Sequence, residues 1–182
     1  MKTRALAFTA LFAALTAAGA FVSIPVGPVS ITLQFLFTAM AGILLGRRCG
    51  ALSQLVYVAL GLLGLPIFTR GGGLGYVLQP GFGFLLGLIP CAWIIGLLAR
   101  RGSGALWLAL SCAAGLAVLY LIGVPYMALI LNVYLHSGLG LRDLLWQGMA
   151  VFLPGDALKI AAVSAVCPIL QRRLCNFDEF RT

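Results

Sequence analysis

Apolar stretches of bilayer-spanning length follow one another along this chain with little between them. One helical span takes about 20 residues to cross about 30 Å of hydrocarbon. The stretches run from about Ala5 to Ser23, Ile31 to Leu45, Gly50 to Leu65, Phe82 to Ala99, Ala105 to Leu135 and Met149 to Leu170. Lipid offers no partners for backbone polar groups, so each stretch must satisfy its own, and runs this long read as helices. Pro25, Gly27 and Pro28 break the first stretch, Arg47-Arg48 the second, Pro66 the third and Arg100-Arg101 the fourth; Arg172-Arg173 closes the last. The stretch from Ala105 exceeds one span. It reads as one helix bent near Gly123 and Pro125, or as a span plus a segment lying along the surface. His136 to Gln147 forms a polar connection, and Asn176 to Thr182 a short polar tail.

Only 9% of the residues are charged and the mean hydropathy is +1.10. Soluble domains carry roughly a quarter charged residues. Six spans leave only short loops in 182 residues. The expectation is therefore an all-α, polytopic membrane protein forming one domain over 1–182, with no separate soluble catalytic domain. The first 23 residues imitate a signal peptide through Lys2, Arg4 and Ala18-Gly19-Ala20. The length of their apolar stretch favours a span instead.

A net charge of +8 in a soluble protein would raise the question of nucleic acid. Here the basic residues sit in pairs at span ends, so they report topology, and no nucleic-acid partner is expected. Cytoplasmic loops hold the excess of Lys and Arg. With the N-terminus inside, Lys2, Arg4, Arg47, Arg48, Arg100, Arg101, Arg172, Arg173 and Arg181 fall inside, nine of the twelve basic residues. Arg70, Arg142 and Lys159 fall outside or within the membrane. Six spans with both termini cytoplasmic satisfy this count.

Cys49, Cys91, Cys112, Cys167 and Cys175 show no C-x-x-C spacing and read as small buried hydrophobes. His136 stands alone, so no metal site is expected. The chain offers no nucleophile–base pair, and it is not read as an enzyme.

Four segments carry chemistry. Asp156 and Lys159 lie in Leu153-Pro154-Gly155-Asp156-Ala157-Leu158-Lys159-Ile160, three residues apart and so on one helix face. Each costs roughly 2.5–3.5 kcal/mol at a membrane centre. They form either a self-satisfying ion pair or a contact pair for a polar ligand, Asp156 accepting and Lys159 donating. The loop Thr69 to Gly81 contains Gly71, Gly72, Gly73, Tyr76 and Gln79. It lacks the Lys-Ser or Lys-Thr of a phosphate loop, so this chain does not hydrolyse ATP. The loop is either a flexible turn or a lid whose glycines let backbone approach a ligand. Gln34, just after Ser30-Ile31-Thr32-Leu33, is an amide that needs partners from a neighbouring helix or a ligand, and Thr32 is a candidate cap. Ala10, Ala14 and Ala18, with Ala13 and Ala17 beside them, make a small-residue stripe on which another helix can dock. Gly42-x-x-x-Gly46 and Gly83-x-x-x-Gly87 share that spacing and read as internal packing. No internal repeat is visible.

Taken together, Ile24 to Gln34, Tyr57 to Phe68 with the glycines after it, Tyr120 to Tyr126, and Leu153 to Lys159 resemble the BioY family in order and spacing. That family comprises biotin-binding substrate (S) components of energy-coupling factor (ECF) transporters. The resemblance implies six helices with cytoplasmic termini in a bacterial cytoplasmic membrane. It implies a biotin pocket on the outer side closed by two loops, and no cofactor. It implies that the Ala10, Ala14 and Ala18 face docks on a membrane T component powered by two ATPase subunits. Biotin has a ureido ring, an apolar bicycle and a carboxylate tail. Under the resemblance Asp156 takes the ureido N–H groups. Lys159, Gln34 and Gln79 meet the carbonyl or the tail, and Tyr76, Phe82 and Tyr126 pack on the rings. Gly73 belongs to the loop that covers the ligand. The stretch Gln79-Pro80-Gly81-Phe82-Gly83-Phe84 departs from the family's usual Thr and paired glycines after the proline. A solitary carrier, or an S component for another small vitamin, is the alternative.

Overall fold

The computed structural model describes residues 3–102 and 104–173. Lys2, Cys175, Arg181, the tail 176–182 and the side chains of Arg172 and Arg173 lie outside the described residues. Helix α1 (Thr3–Phe21) leads into an antiparallel hairpin of β1 (Ser23–Val26) and β2 (Val29–Thr32), then α2 (Gln34–Leu62). A loop containing a 3-10 turn at Leu74–Leu78 reaches α3 (Phe82–Leu98). Helix α4 (Ala105–Leu129) continues into a π turn at Ile130–Tyr134. Short α5 (Leu141–Leu145) and a second π turn precede α6 (Leu153–Arg173). Among the described residues, five helical stretches are long and apolar enough to cross a membrane: Thr3–Phe21, Gln34–Leu62, Phe82–Arg101, Ala105–Tyr134 and Leu141–Gln171.

The expected segment at Ile31 starts later, at Gln34, because residues 29–32 pair with 23–26 as a strand. The all-helical expectation therefore gains one small hairpin. Val26 pairs directly with Val29, leaving Gly27-Pro28 as the two-residue loop. Such loops need a positive φ at the first position, and Gly27 has φ 67°.

Helix α2 is not straight. Gly46 takes φ 76° and ψ 178°, a region that only glycine occupies readily. Sixteen residues of straight helix would cover about 24 Å. Instead Thr38 Oγ1 donates to Gln54 Oε1 at 3.0 Å, sixteen residues on. A Cβ on Gly50 would meet the Gly42 backbone at 2.9 Å. The arms 34–45 and 47–62 therefore fold back on each other about Gly46. The second arm stops at Leu62 rather than Leu65, and Gly64 turns the chain with φ 106°.

The long Ala105 stretch is one helix with Pro125 inside it. Residues after Pro125 keep packing inward: Met127 is fully buried and Tyr126 Oη donates to Val77 O at 2.7 Å. This overturns the alternative of a separate surface segment. The expected polar connection His136 to Gln147 holds α5.

Glycines set the helix contacts. A Cβ on Gly42 would strike the Ala92 carbonyl, and one on Gly87 would crowd Leu119. Both glycine pairs thus serve internal packing. Cys49, Cys91, Cys112 and Cys167 are buried free thiols. On α1, Thr9, Phe12, Ala13 and Thr16 are buried, while Ala10, Ala14 and Ala18 are exposed on the other face.

The bundle has two distinct ends. A Cβ on Gly96, near the end of α3, would strike the Gly46–Arg47 backbone. Gln171 Nε2, near the end of α6, donates to Ile43 O at 3.4 Å. Arg47, Arg48, Arg100 and Arg101 therefore belong to one end. The start of α2, the start of α6, the β-hairpin and the loop 63–81 belong to the other.

Candidate ligand-binding site

At the end away from the arginine pairs, the hairpin, the loop 63–81 and helices α2, α3, α4 and α6 surround a cavity. Its unfilled space is about 730 Å³, part of it open to solvent. The wall is amphipathic. Phe35, Phe84, Leu85, Leu88, Leu119 and Phe152 supply apolar surface. Gln34, Thr69, Gln79, Tyr120, Asp156 and Lys159 supply polar groups.

Asp156 in the first turn of α6 and Lys159 in the next lie side by side, Lys159 Nζ donating to Asp156 Oδ1 at 2.7 Å. Both residues are buried, at 4% and 7% exposure. From α4, Tyr120 Oη donates to the other carboxylate oxygen, Oδ2, at 2.5 Å. A phenol buried in an apolar helix needs such a partner, and Tyr120 sits on the buried stripe Leu116, Leu119, Tyr120, Gly123, Val124. The pair is not closed on itself. A carboxylate offers about four lone-pair directions and an ammonium three N–H donors. Among the described residues, one contact occupies each carboxylate oxygen, and one of the three Lys159 donors is used.

Gln34 opens α2. Its Nε2 donates to Tyr57 Oη at 2.7 Å, and Tyr57 Oη donates to Ile67 O at 3.1 Å. Thr32 Oγ1 donates to Gln34 Oε1 at 2.9 Å. Thr32 thus orients the Gln34 amide as well as standing before the helix. The loop above is braced by rings. Phe68 meets Tyr57 edge-on at 5.5 Å and Tyr76 at 4.6 Å, and Tyr76 Oη shares a 2.8 Å hydrogen bond with Thr69 Oγ1. Of the two readings of this glycine-rich loop, a flexible turn fits poorly with this bracing.

Among the residues singled out in the sequence, Gln34, Tyr76, Gln79, Asp156 and Lys159 line the cavity. Three others stand behind the wall. Phe82 is buried between the rings of Tyr76 and Tyr126, at 6.5 and 5.8 Å. The hydroxyl of Tyr126 is occupied by Val77 O. Gly73 has φ 100° and donates its N–H to Gly61 O at 2.7 Å. These three hold the loop's shape instead of facing the space beneath it. Sequence reasoning passed over Tyr120, Phe84 and Phe152 as wall residues. Phe84 lies stacked on Phe152 at 6.4 Å and edge-on to Tyr120, also at 6.4 Å. The available signal was the pair of uncharged phenols, Tyr57 and Tyr120, in apolar helices where a hydroxyl must find a partner.

Comparison with known proteins now bears on this geometry. A family model described as the BioY family matches residues 1–176. The chain belongs to the BioY family. Among BioY relatives, a protein of Lysinibacillus sphaericus described as a probable biotin transporter is 47% identical over 74% of this chain and 70% of its own length. The biotin transporter of Thermotoga maritima is 36% identical over 89% of this chain and 92% of its own. A solved structure described as the S-component for biotin from an ECF-type ABC transporter matches with TM-score 0.83 and 26% identity. That match covers 94% of this chain and 92% of the other. The chain is thus a multi-pass membrane protein of a transporter family. Of the segments that carry the BioY resemblance, Ile24 to Gln34 lends Pro28 to Ser30, Thr32 and Gln34 to the cavity wall, Tyr120 to Tyr126 lends Tyr120, and Leu153 to Lys159 lends Asp156 and Lys159.

Proposed function

We propose that this chain is the biotin-binding S component of an ECF transporter and takes up biotin across a bacterial cytoplasmic membrane. It works as one membrane-embedded domain over 1–182 and is a transport component, not an enzyme; biotin is its cargo and no cofactor is needed. The observation that carries the reading is the buried Asp156–Lys159 pair on the cavity wall with donors and acceptors still unused. A urea presents two N–H donors and one carbonyl. Asp156 accepts from the first and Lys159 donates to the second, which completes a site that neither residue completes alone. Phe84, Phe152 and Tyr76 flank the apolar bicycle, and Gln34 and Gln79 add polar contacts.

Six helical passes with both termini cytoplasmic follow when the two arms of α2 count as separate passes. The arginine pairs gathered at one end support this orientation through the positive-inside preference, and the cavity then opens outward. The exposed Ala10, Ala14 and Ala18 face supports docking on a T component, with two ATPase subunits supplying the energy that this chain has no means to generate.

The test is displacement binding on purified protein in detergent. Labelled biotin should bind saturably and be displaced by unlabelled biotin but not by riboflavin or thiamine. Equal displacement by the other vitamins overturns the assignment of biotin.

A further inference from the structure

Among the described residues, three formally charged side chains line the cavity: Asp156, Lys159 and Arg70. The first two neutralise each other at 2.7 Å. Arg70 has neither ion-pair nor hydrogen-bond partner among the described residues. The wall therefore carries one uncompensated positive charge. That charge sits on an exposed residue at the rim, whereas the ion pair is buried.

The backbone beneath Arg70 is fixed. Phe68 and Gly71 face each other across a tight turn, with Phe68 N–H donating to Gly71 O at 2.9 Å and Gly71 N–H returning to Phe68 O at 3.2 Å. Thr69 and Arg70 are the two residues at its tip. Phe68, 2% exposed, anchors the turn in the aromatic stack. A guanidinium on a braced turn loses less freedom on binding than one on a loose loop.

We propose that Arg70 recognises the carboxylate tail of the ligand and sets the preference of this site for an anion. The inference rests on the biotin reading above and deepens it. A carboxylate beside the ion pair would meet Asp156, a like charge, and would lose its water. At the rim it keeps part of its hydration and meets an unpaired guanidinium suited to a bidentate contact. Gln34 and Gln79 cannot make this distinction, because a neutral amide serves a carboxylate and a carboxamide about equally.

The experiment compares biotin with biotin amide, which keeps the ring system and loses the tail charge, by calorimetric titration of purified protein. Exposed ion pairs are modest and screened by salt, so the wild type should prefer biotin by about fivefold at low salt and by less at high salt. Arg70→Gln should bind biotin amide as the wild type does and lose the preference for biotin; Arg70→Lys should restore part of it. The unchanged amide affinity reports that the variant is folded. Retained preference in Arg70→Gln, or equal losses for both ligands, overturns the role of Arg70. Equal binding of both ligands by the wild type overturns it too, while leaving the binding reading intact. Binding of neither ligand by the wild type overturns both.

Discussion

Tyr120 on α4 and Asp156 on α6 are joined by a 2.5 Å hydrogen bond across the two helices. It fixes the carboxylate from the side opposite Lys159, so three residues from two helices define one buried polar floor. Removing the phenol hydroxyl by Tyr120→Phe leaves the ring packing in place and Asp156 less constrained. Intramembrane hydrogen bonds contribute about 0.6 kcal/mol on average and up to about 1.7. We predict a stability loss of about 1 kcal/mol and a larger proportional loss of biotin affinity, roughly tenfold, read by thermal unfolding and titration in the same detergent. Affinity equal to wild type would separate Tyr120 from the site.

The ion pair predicts a non-additive pattern. Deleting one member of a buried pair leaves the other uncompensated, at about 3–5 kcal/mol, whereas replacing both often restores stability. Asp156→Asn and Lys159→Met should each unfold at distinctly lower temperature, and the double variant should recover most of that loss. Additive losses in the double variant would show that the two residues do not compensate each other.

Gly46 predicts a cost without a functional change. An alanine there must hold φ 76° and ψ 178°, a conformation costing about 1–3 kcal/mol for residues with a Cβ. Gly46→Ala should lower the unfolding temperature and leave biotin affinity within about twofold of wild type, since the elbow lies at the other end of the bundle from the cavity. An unfolding temperature equal to wild type contradicts the elbow.

The stripe on α1 predicts loss of assembly without loss of binding. Ala14 is exposed and lines an apolar groove with Ala10, Ala18, Val56 and Leu60. Ala14→Trp fills that groove from outside. It should abolish copurification with the T component while biotin affinity stays unchanged. Copurification at wild-type yield would remove the stripe from the interface.

Much of this was legible because membrane insertion imposes simple rules. Apolar runs and arginine pairs located the helices, since lipid admits few alternatives. Asp156 and Lys159 stood out because ionised groups are scarce in such a chain. The β-hairpin was not legible: Ile31 and Thr32 can open a span as readily as end a strand, and only the pairing of Val29 to Thr32 with Ser23 to Val26 makes a strand of them. Tyr120 was hidden for a related reason. A tyrosine in an apolar helix looks like packing until the chain brings a carboxylate to its hydroxyl. Conversely, Phe82 and Tyr126 looked like ring contacts because aromatics suit a bicyclic ligand. Their positions behind the wall follow from the loop's own need to bury its backbone and rings.

The measurement closest to the central claim is calorimetric titration with biotin of the wild type and of the double variant Asp156→Asn, Lys159→Met, after thermal unfolding has shown the latter to be folded. The account predicts saturable one-site binding by the wild type and none by the folded double variant. Binding of wild-type strength by the double variant would contradict it.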